Sequence, residues 1–151
     1  MGGTSFDVSL VAEGEAALTA QTAIDFGMVV RTPMIEITTI GAGGGSIAWL
    51  DKSGLLQVGP ESAGSDPGPV CYGLGAARPT VTDANLVLGR INADRPIAGA
   101  LDRLDTDAAR AAIQRDIGEG MGLSAQDPPE PLLRVSHATL PVPNPLVNTE
   151  P

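Results

Sequence analysis

The N-terminal stretch MGGTSFDV offers the backbone amides of Gly2 and Gly3, the hydroxyls of Thr4 and Ser5, and the carboxylate of Asp7. Amides and hydroxyls can cradle phosphate oxygens, and a carboxylate just beyond them can hold a metal-bound water. The same spacing also fits a glycine turn that opens a hairpin. A second stretch, TIGAGGGSIAWLD, sets Gly41, Gly43, Gly44 and Gly45 directly before Ser46 and an apolar run. Bare backbone between two segments that read as buried strands marks a loop where main chain approaches something closely. The approaching group is either an anionic ligand received by amides of Gly41 to Ser46, or another loop packed without side-chain obstruction. The common nucleotide fingerprints fail. GAGGGS lacks the Lys-Ser/Thr of a Walker loop, and neither it nor GLGAAR completes G-x-G-x-x-G.

The elements that position these groups follow from hydropathy pattern. Phe6, Val8 and Leu10 alternate with Asp7 and Ser9, so Ser5 to Val11 reads as a half-buried strand. Glu15 to Ala23 is Ala-rich and fits a short helix or an edge segment equally. Met28 to Arg31 and Met34 to Ile40 read as two strands, because Pro33 breaks the run between them. Ser46 to Leu50 and Leu55 to Val58 flank DKSG, a hairpin turn with Gly54 placed for positive φ. The segment from Gly59 to Pro79 holds five glycines and four prolines yet little charge, which predicts an ordered, partly buried loop. Thr82 reads as the cap of a short helix over Asp83 to Leu88, stopped at Gly89. A longer helix follows, capped by Asp105 or Thr106 and ended by Gly122, with Leu104, Ala109, Ile113, Ile117 and Met121 at helical spacing. The domain expectation is therefore one folded body over residues 1–123. Residues 124–151, with Pro141, Pro143 and Pro145 alternating, form an extended or disordered tail.

Composition narrows the partners. The chain has 151 residues, 42% of them hydrophobic, which is one domain with a modest core. Its formal charge of -9 and lack of any basic run exclude a nucleic-acid or acidic-membrane surface. No stretch reaches the roughly 20 apolar residues of a membrane span. A single cysteine, Cys71, allows no intrachain disulfide, so the cytoplasm is the expected compartment. Cys71 has no neighbouring base to activate it and reads as a packing residue. His137, the only histidine, lies in the Pro-rich tail without partner ligands. Asp83 fits a helix cap, a cleft carboxylate, or both, and Trp49 reads as core.

Four blocks taken together, MGGTSFDVSL, TIGAGGGSIAWLD, VGPESAGSDPGPVCYGLG and RPTVTDANLVLGRI, resemble the hydantoinase A/5-oxoprolinase family in order and spacing. The resemblance covers Met1 to Ile91 closely and Leu104 to Leu123 weakly. It implies an α/β fold: part of an actin/hexokinase/Hsp70-like (ribonuclease H-like) ATPase lobe, with a mixed sheet, glycine-rich loops and C-terminal helices. By this resemblance Gly2, Gly3, Thr4 and Ser5 face the phosphates of ATP and Asp7 helps position magnesium, while Gly41, Gly43, Gly44, Gly45 and Ser46 form a loop at the same cleft. The family couples ATP hydrolysis to opening a cyclic amide, by phosphorylating the amide oxygen so that water can attack. The expected partners are the remainder of an α subunit, a β subunit or domain, and a small cyclic amide.

Four departures temper the expected activity. Family members place an aspartate ahead of Met-Gly-Gly; here Met1 is the first residue, and the first phosphate loop and the adenosine-contacting glycine motif are absent. Ala76 stands where the family tends to show glycine. Little or no turnover is expected from the isolated chain, since half a site cannot preorganise charge. A ketone-carboxylase branch of the same family and a non-catalytic remnant or docking module are the rival expectations. A sheet lacking the strand ahead of Met1 would leave an open edge beside Ser5 to Val11, and oligomers or aggregation are expected from it.

Overall fold

In the computed structural model, residues 2–96, 101–124 and 131 are described. Two compact units emerge, one from residues 7–40 and the other from residues 1–6 with 41–151.

The smaller unit is a set of short ladders. Strand β1 (Phe6–Ser9) is followed by β2 (Val11–Ala12), β3 (Glu15–Ala16), β4 (Leu18–Thr19), β5 (Thr22–Ala23), β6 (Val29–Val30), β7 (Met34–Ile35) and β8 (Ile37–Ile40). The pairs are β1 with β8, β2 with β3, β4 with β7, and β5 with β6, so three ladders nest around the turn at Asp25–Gly27. The alternation read over Phe6 to Ser9 is present: Phe6 and Val8 are half-buried, Asp7 and Ser9 exposed. The undecided stretch from Glu15 to Ala23 is three two-residue strands and no helix. None of the described residues in 7–40 is buried, and Val11, Leu18, Phe26, Val29, Ile35 and Ile37 are all exposed. Phe26 at the turn has φ 64, a left-handed conformation that is costly for an aromatic residue.

The larger unit carries the core. Strands β9 (Ser46–Leu50) and β10 (Leu56–Ser62) form the antiparallel hairpin expected around DKSG. Asp51 Oδ1 accepts the amides of Ser53 and Leu55, and Gly54 adopts φ 77. Those amides, Leu55 foremost, hold the Asp51 carboxyl below the usual carboxylate range. The register is irregular between Val58 and Ser62, where Gly59 has φ 69. Helix α1 (Val81–Val87) packs against this hairpin and helix α2 (Thr106–Ile113) against α1; α2 runs on through a π-helical turn, Gln114–Gly118, which meets β9, into the short helix α3 (Glu119–Met121). Gly122 closes the run at φ 68, as expected of a C-terminal glycine.

One apolar cluster joins Ala48, Leu56, Val58, Val81, Ala84 and Ile117, and a second joins Cys71, Leu86, Leu104 and Ala109. The loop expected from Gly59 starts later, since residues 59–62 belong to β10; the rest, to Pro79, is ordered around a 3-10 turn at Val70–Tyr72, with Pro69, Val70, Cys71 and Pro79 buried.

Three further expectations are corrected. The strands form two-stranded ladders, not the mixed sheet expected. Trp49 is not core: it is 39% exposed, and its indole N–H donates to the Gly59 carbonyl at 2.9 Å. Strand alternation explains this, since Ala48 and Leu50 already face the helices and Trp49 must point the other way. The cap of α1 is Thr80, not Thr82; its hydroxyl pairs reciprocally with the backbone and side chain of Asp83. The proposed tail and His137 lie outside the described residues, Ser124 and Pro131 apart.

Candidate phosphate-binding site

The N-terminal turn is closed by the Gly2 amide, which donates to the Ser5 carbonyl at 2.8 Å. Its two glycine carbonyls then point at the central glycine cluster. Gly44 donates to the Gly2 carbonyl at 2.9 Å and Gly45 to the Gly3 carbonyl at 2.6 Å. The two glycine segments are therefore neighbours, joined main chain to main chain.

That approach explains the missing side chains. A Cβ at Gly43 would lie 2.7 Å from the Gly2 and Gly3 carbonyl oxygens, and one at Gly45 would lie 2.9 Å from the Gly3 oxygen. At Gly44 it would meet Thr82 Oγ1 at 2.7 Å. Gly41 is different: it is exposed and a Cβ there would meet nothing within 4 Å.

Hydrogen-bond accounting separates groups already used from groups left over. The amides of Gly2, Gly43, Gly44 and Gly45 are engaged, that of Gly43 by the buried Ser46 hydroxyl at 2.8 Å. Among the described residues, the amides of Gly3 and Thr4 have no hydrogen-bond partner, and Thr4 lies at the exposed end of the turn. The Thr4 hydroxyl is 3.5 Å from Ser62 Oγ, at the limit of a hydrogen bond. The amides of Gly3 and Thr4 thus have the chemistry to receive an anion, whereas those of Gly44 and Gly45 are spent on holding that turn and that of Gly43 on the Ser46 hydroxyl.

Asp7 belongs to the smaller unit, on β1. It is exposed, and Thr39 donates its hydroxyl to Asp7 Oδ1 at 2.7 Å, which orients the carboxylate and leaves Oδ2 accessible. One oriented carboxylate suits a hydrated magnesium ion, which keeps most of its waters. No cluster of three or more His, Cys, Asp or Glu able to hold a metal occurs among the described residues.

Two residues that the sequence singled out have structural roles. Asp83 is fully buried and accepts four hydrogen bonds, from the amides of Val70, Cys71 and Thr80 and from the Thr80 hydroxyl, at 2.8 to 3.2 Å. It latches the start of α1 to the loop before it. Cys71 is 1% exposed, and burial together with the Asp83 carboxylate drives its thiol pKa far above the ordinary value, so it is no nucleophile. Sequence reasoning missed Thr82 and Ala63 as loop supports. Ala63 donates its amide to the Gly45 carbonyl, and Thr82 donates its amide and its hydroxyl to the Gly44 carbonyl. The Thr-Val-Thr spacing signalled a cap, but nothing local distinguishes which threonine turns toward the helix and which toward a remote loop.

The family model for hydantoinase/oxoprolinase matches residues 1–141. This chain belongs to the hydantoinase/oxoprolinase family. The α subunit of caprolactamase from Pseudomonas jessenii is 51% identical over 127 residues, covering 83% of this family member and 18% of the relative. The acetophenone carboxylase gamma subunit of Aromatoleum aromaticum is 50% identical over 125 residues, covering 82% and 17%. A crystal structure of the ATP-dependent caprolactamase from Pseudomonas jessenii superposes with a TM-score of 0.77 at 45% identity, covering 92% of this chain and 20% of that one. The chain thus spans about a fifth of the length of these relatives, and no described helix is long and apolar enough to cross a membrane.

Proposed function

We propose that this hydantoinase/oxoprolinase segment supplies a phosphate-facing loop to an ATP-dependent cyclic-amide hydrolase of cytoplasmic location, within an actin/hexokinase-type lobe. The observation that carries the reading is the N-terminal turn. Its Gly2 and Gly3 carbonyls are tied to the central glycine loop, while the amides of Gly3 and Thr4 have no hydrogen-bond partner among the described residues. A turn held by its carbonyls presents its amides outward, and outward amides are what phosphate oxygens require.

In this reading Gly3, Thr4 and Ser5 contact phosphate, Gly2 shapes the turn, and Asp7, two residues beyond Ser5, holds a magnesium-bound water. ATP with magnesium would activate the amide oxygen of a substrate toward water. Gly43, Gly44, Gly45 and Ser46 support the loop, and Gly41 forms its exposed shoulder. The rest of the α subunit and a β subunit or domain complete the cleft, so the chain alone binds weakly and does not turn over. A ketone-carboxylase role is the second reading, favoured by the 50% identity to the acetophenone carboxylase gamma subunit.

Calorimetric titration of the chain with magnesium-ATP tests the proposal. Weak, saturable heat that Asp7→Ala reduces is the expected result; absence of heat from both proteins would remove nucleotide contact by these residues.

A further inference from the structure

The peptide joining Gly44 to Gly45 is gripped on both sides. Its carbonyl accepts two donors from Thr82, the amide at 2.8 Å and the hydroxyl at 2.9 Å. Its N–H, which a trans peptide directs opposite to that carbonyl, reaches the Gly3 oxygen at 2.6 Å. Rotating this one plane would therefore break the bond to the N-terminal turn. Glycine on both sides leaves the plane unusually free to rotate, so something other than local sterics must hold it. Thr82 stands on the first turn of α1, which Asp83 locks through four hydrogen bonds, so the grip has a rigid base.

From this geometry we infer that Thr82 is a positioning residue for the phosphate-facing turn, acting through the Gly44–Gly45 peptide and not by touching the ligand; its purpose rests on the function proposed above. The backbone amide of residue 82 supplies one donor whatever the side chain. The hydroxyl adds the second, which resists twisting about the first. A side chain of the same shape without the hydroxyl should keep the packing and lose this restraint.

Amide hydrogen exchange measured by NMR on the full chain tests this without any nucleotide, so a failure of ATP binding and a failure of this inference are read separately. Thr82→Val should speed exchange at Gly45 about fivefold, and Thr82→Ser should restore it to within twofold of the parent. The Ala48 amide, which donates to the Pro79 carbonyl, should be unchanged and reports global stability. Unchanged exchange at Gly45 in Thr82→Val overturns the inference. So does an equal acceleration at Ala48, or a Thr82→Ser variant as fast as Thr82→Val.

Discussion

Gly45 donates its amide to the Gly3 carbonyl across 2.6 Å, and the position a Cβ would take at Gly45 lies 2.9 Å from that oxygen. The hydrogen bond and the absence of a side chain at position 45 are one requirement, because the Gly3 carbonyl can come this close only if residue 45 carries no Cβ, whereas a Cβ at Gly3 would meet nothing within 4 Å. Gly45→Ala should cost about 1–3 kcal/mol through forced displacement of backbone. Gly41→Ala, with open space around it, should stay within about 0.5 kcal/mol of the parent. Urea unfolding of the two variants side by side measures the contrast.

Gly44 and Thr82 form a pair suited to a double-mutant cycle. A methyl at position 44 meets mainly Thr82 Oγ1, at 2.7 Å, and φ at Gly44 is not positive. Gly44→Ala should therefore be clearly destabilising alone and less so in the Thr82→Ala background, with a coupling of about 1 kcal/mol. Additive losses in chemical denaturation would show that the clash is relieved elsewhere.

Asp83 has no exposed surface and satisfies the donors of three other residues. Asp83→Ala strands those amides in the interior, and a loss of about 3 kcal/mol or more is expected. Asp83→Asn turns an NH₂ group toward donors and should also destabilise, though by less. Thermal melts followed by far-ultraviolet circular dichroism report both.

The Cys71 thiol is held neutral by burial and by the Asp83 carboxylate, with Asp105 adding to the effect. In the unfolded chain it ionises near its ordinary value of 9.0, while the folded chain keeps the proton. Above that pH the native state binds more protons than the unfolded state, so stability is full below about pH 9 and falls as pH rises, by at most about 1.4 kcal/mol per unit from this group. Tyr72, whose hydroxyl is also raised by burial, adds to the decline at higher pH. Urea midpoints between pH 8 and 10.5 should fall less steeply in Cys71→Ala, and a thiol reagent at pH 8 should label Cys71 only after denaturant is added.

Much of the local architecture was legible in residue order. Asp51 and Gly54 define their hairpin through a turn that needs only neighbours, and Asp105 and Gly122 bracket the second helical run for the same reason. The glycine cluster was legible as a place of close approach, since no other residue tolerates it, and four sequence blocks were enough to point to the family. What approaches was not legible. Whether the amides of Gly44 and Gly45 face a ligand or a neighbouring carbonyl depends on residues some 40 positions away, and no local preference encodes that choice.

Residue order by itself determined the DKSG turn, the limits of the second helical run and family membership. Only the tertiary structure decided that Trp49 faces outward, that Thr80 and not Thr82 caps α1, and that Gly44 and Gly45 spend their amide hydrogen bonds on the N-terminal turn. The physical reason is that turn formation is settled within a few bonds along the chain. The direction of a side chain or a peptide plane is settled by whatever the fold brings against it.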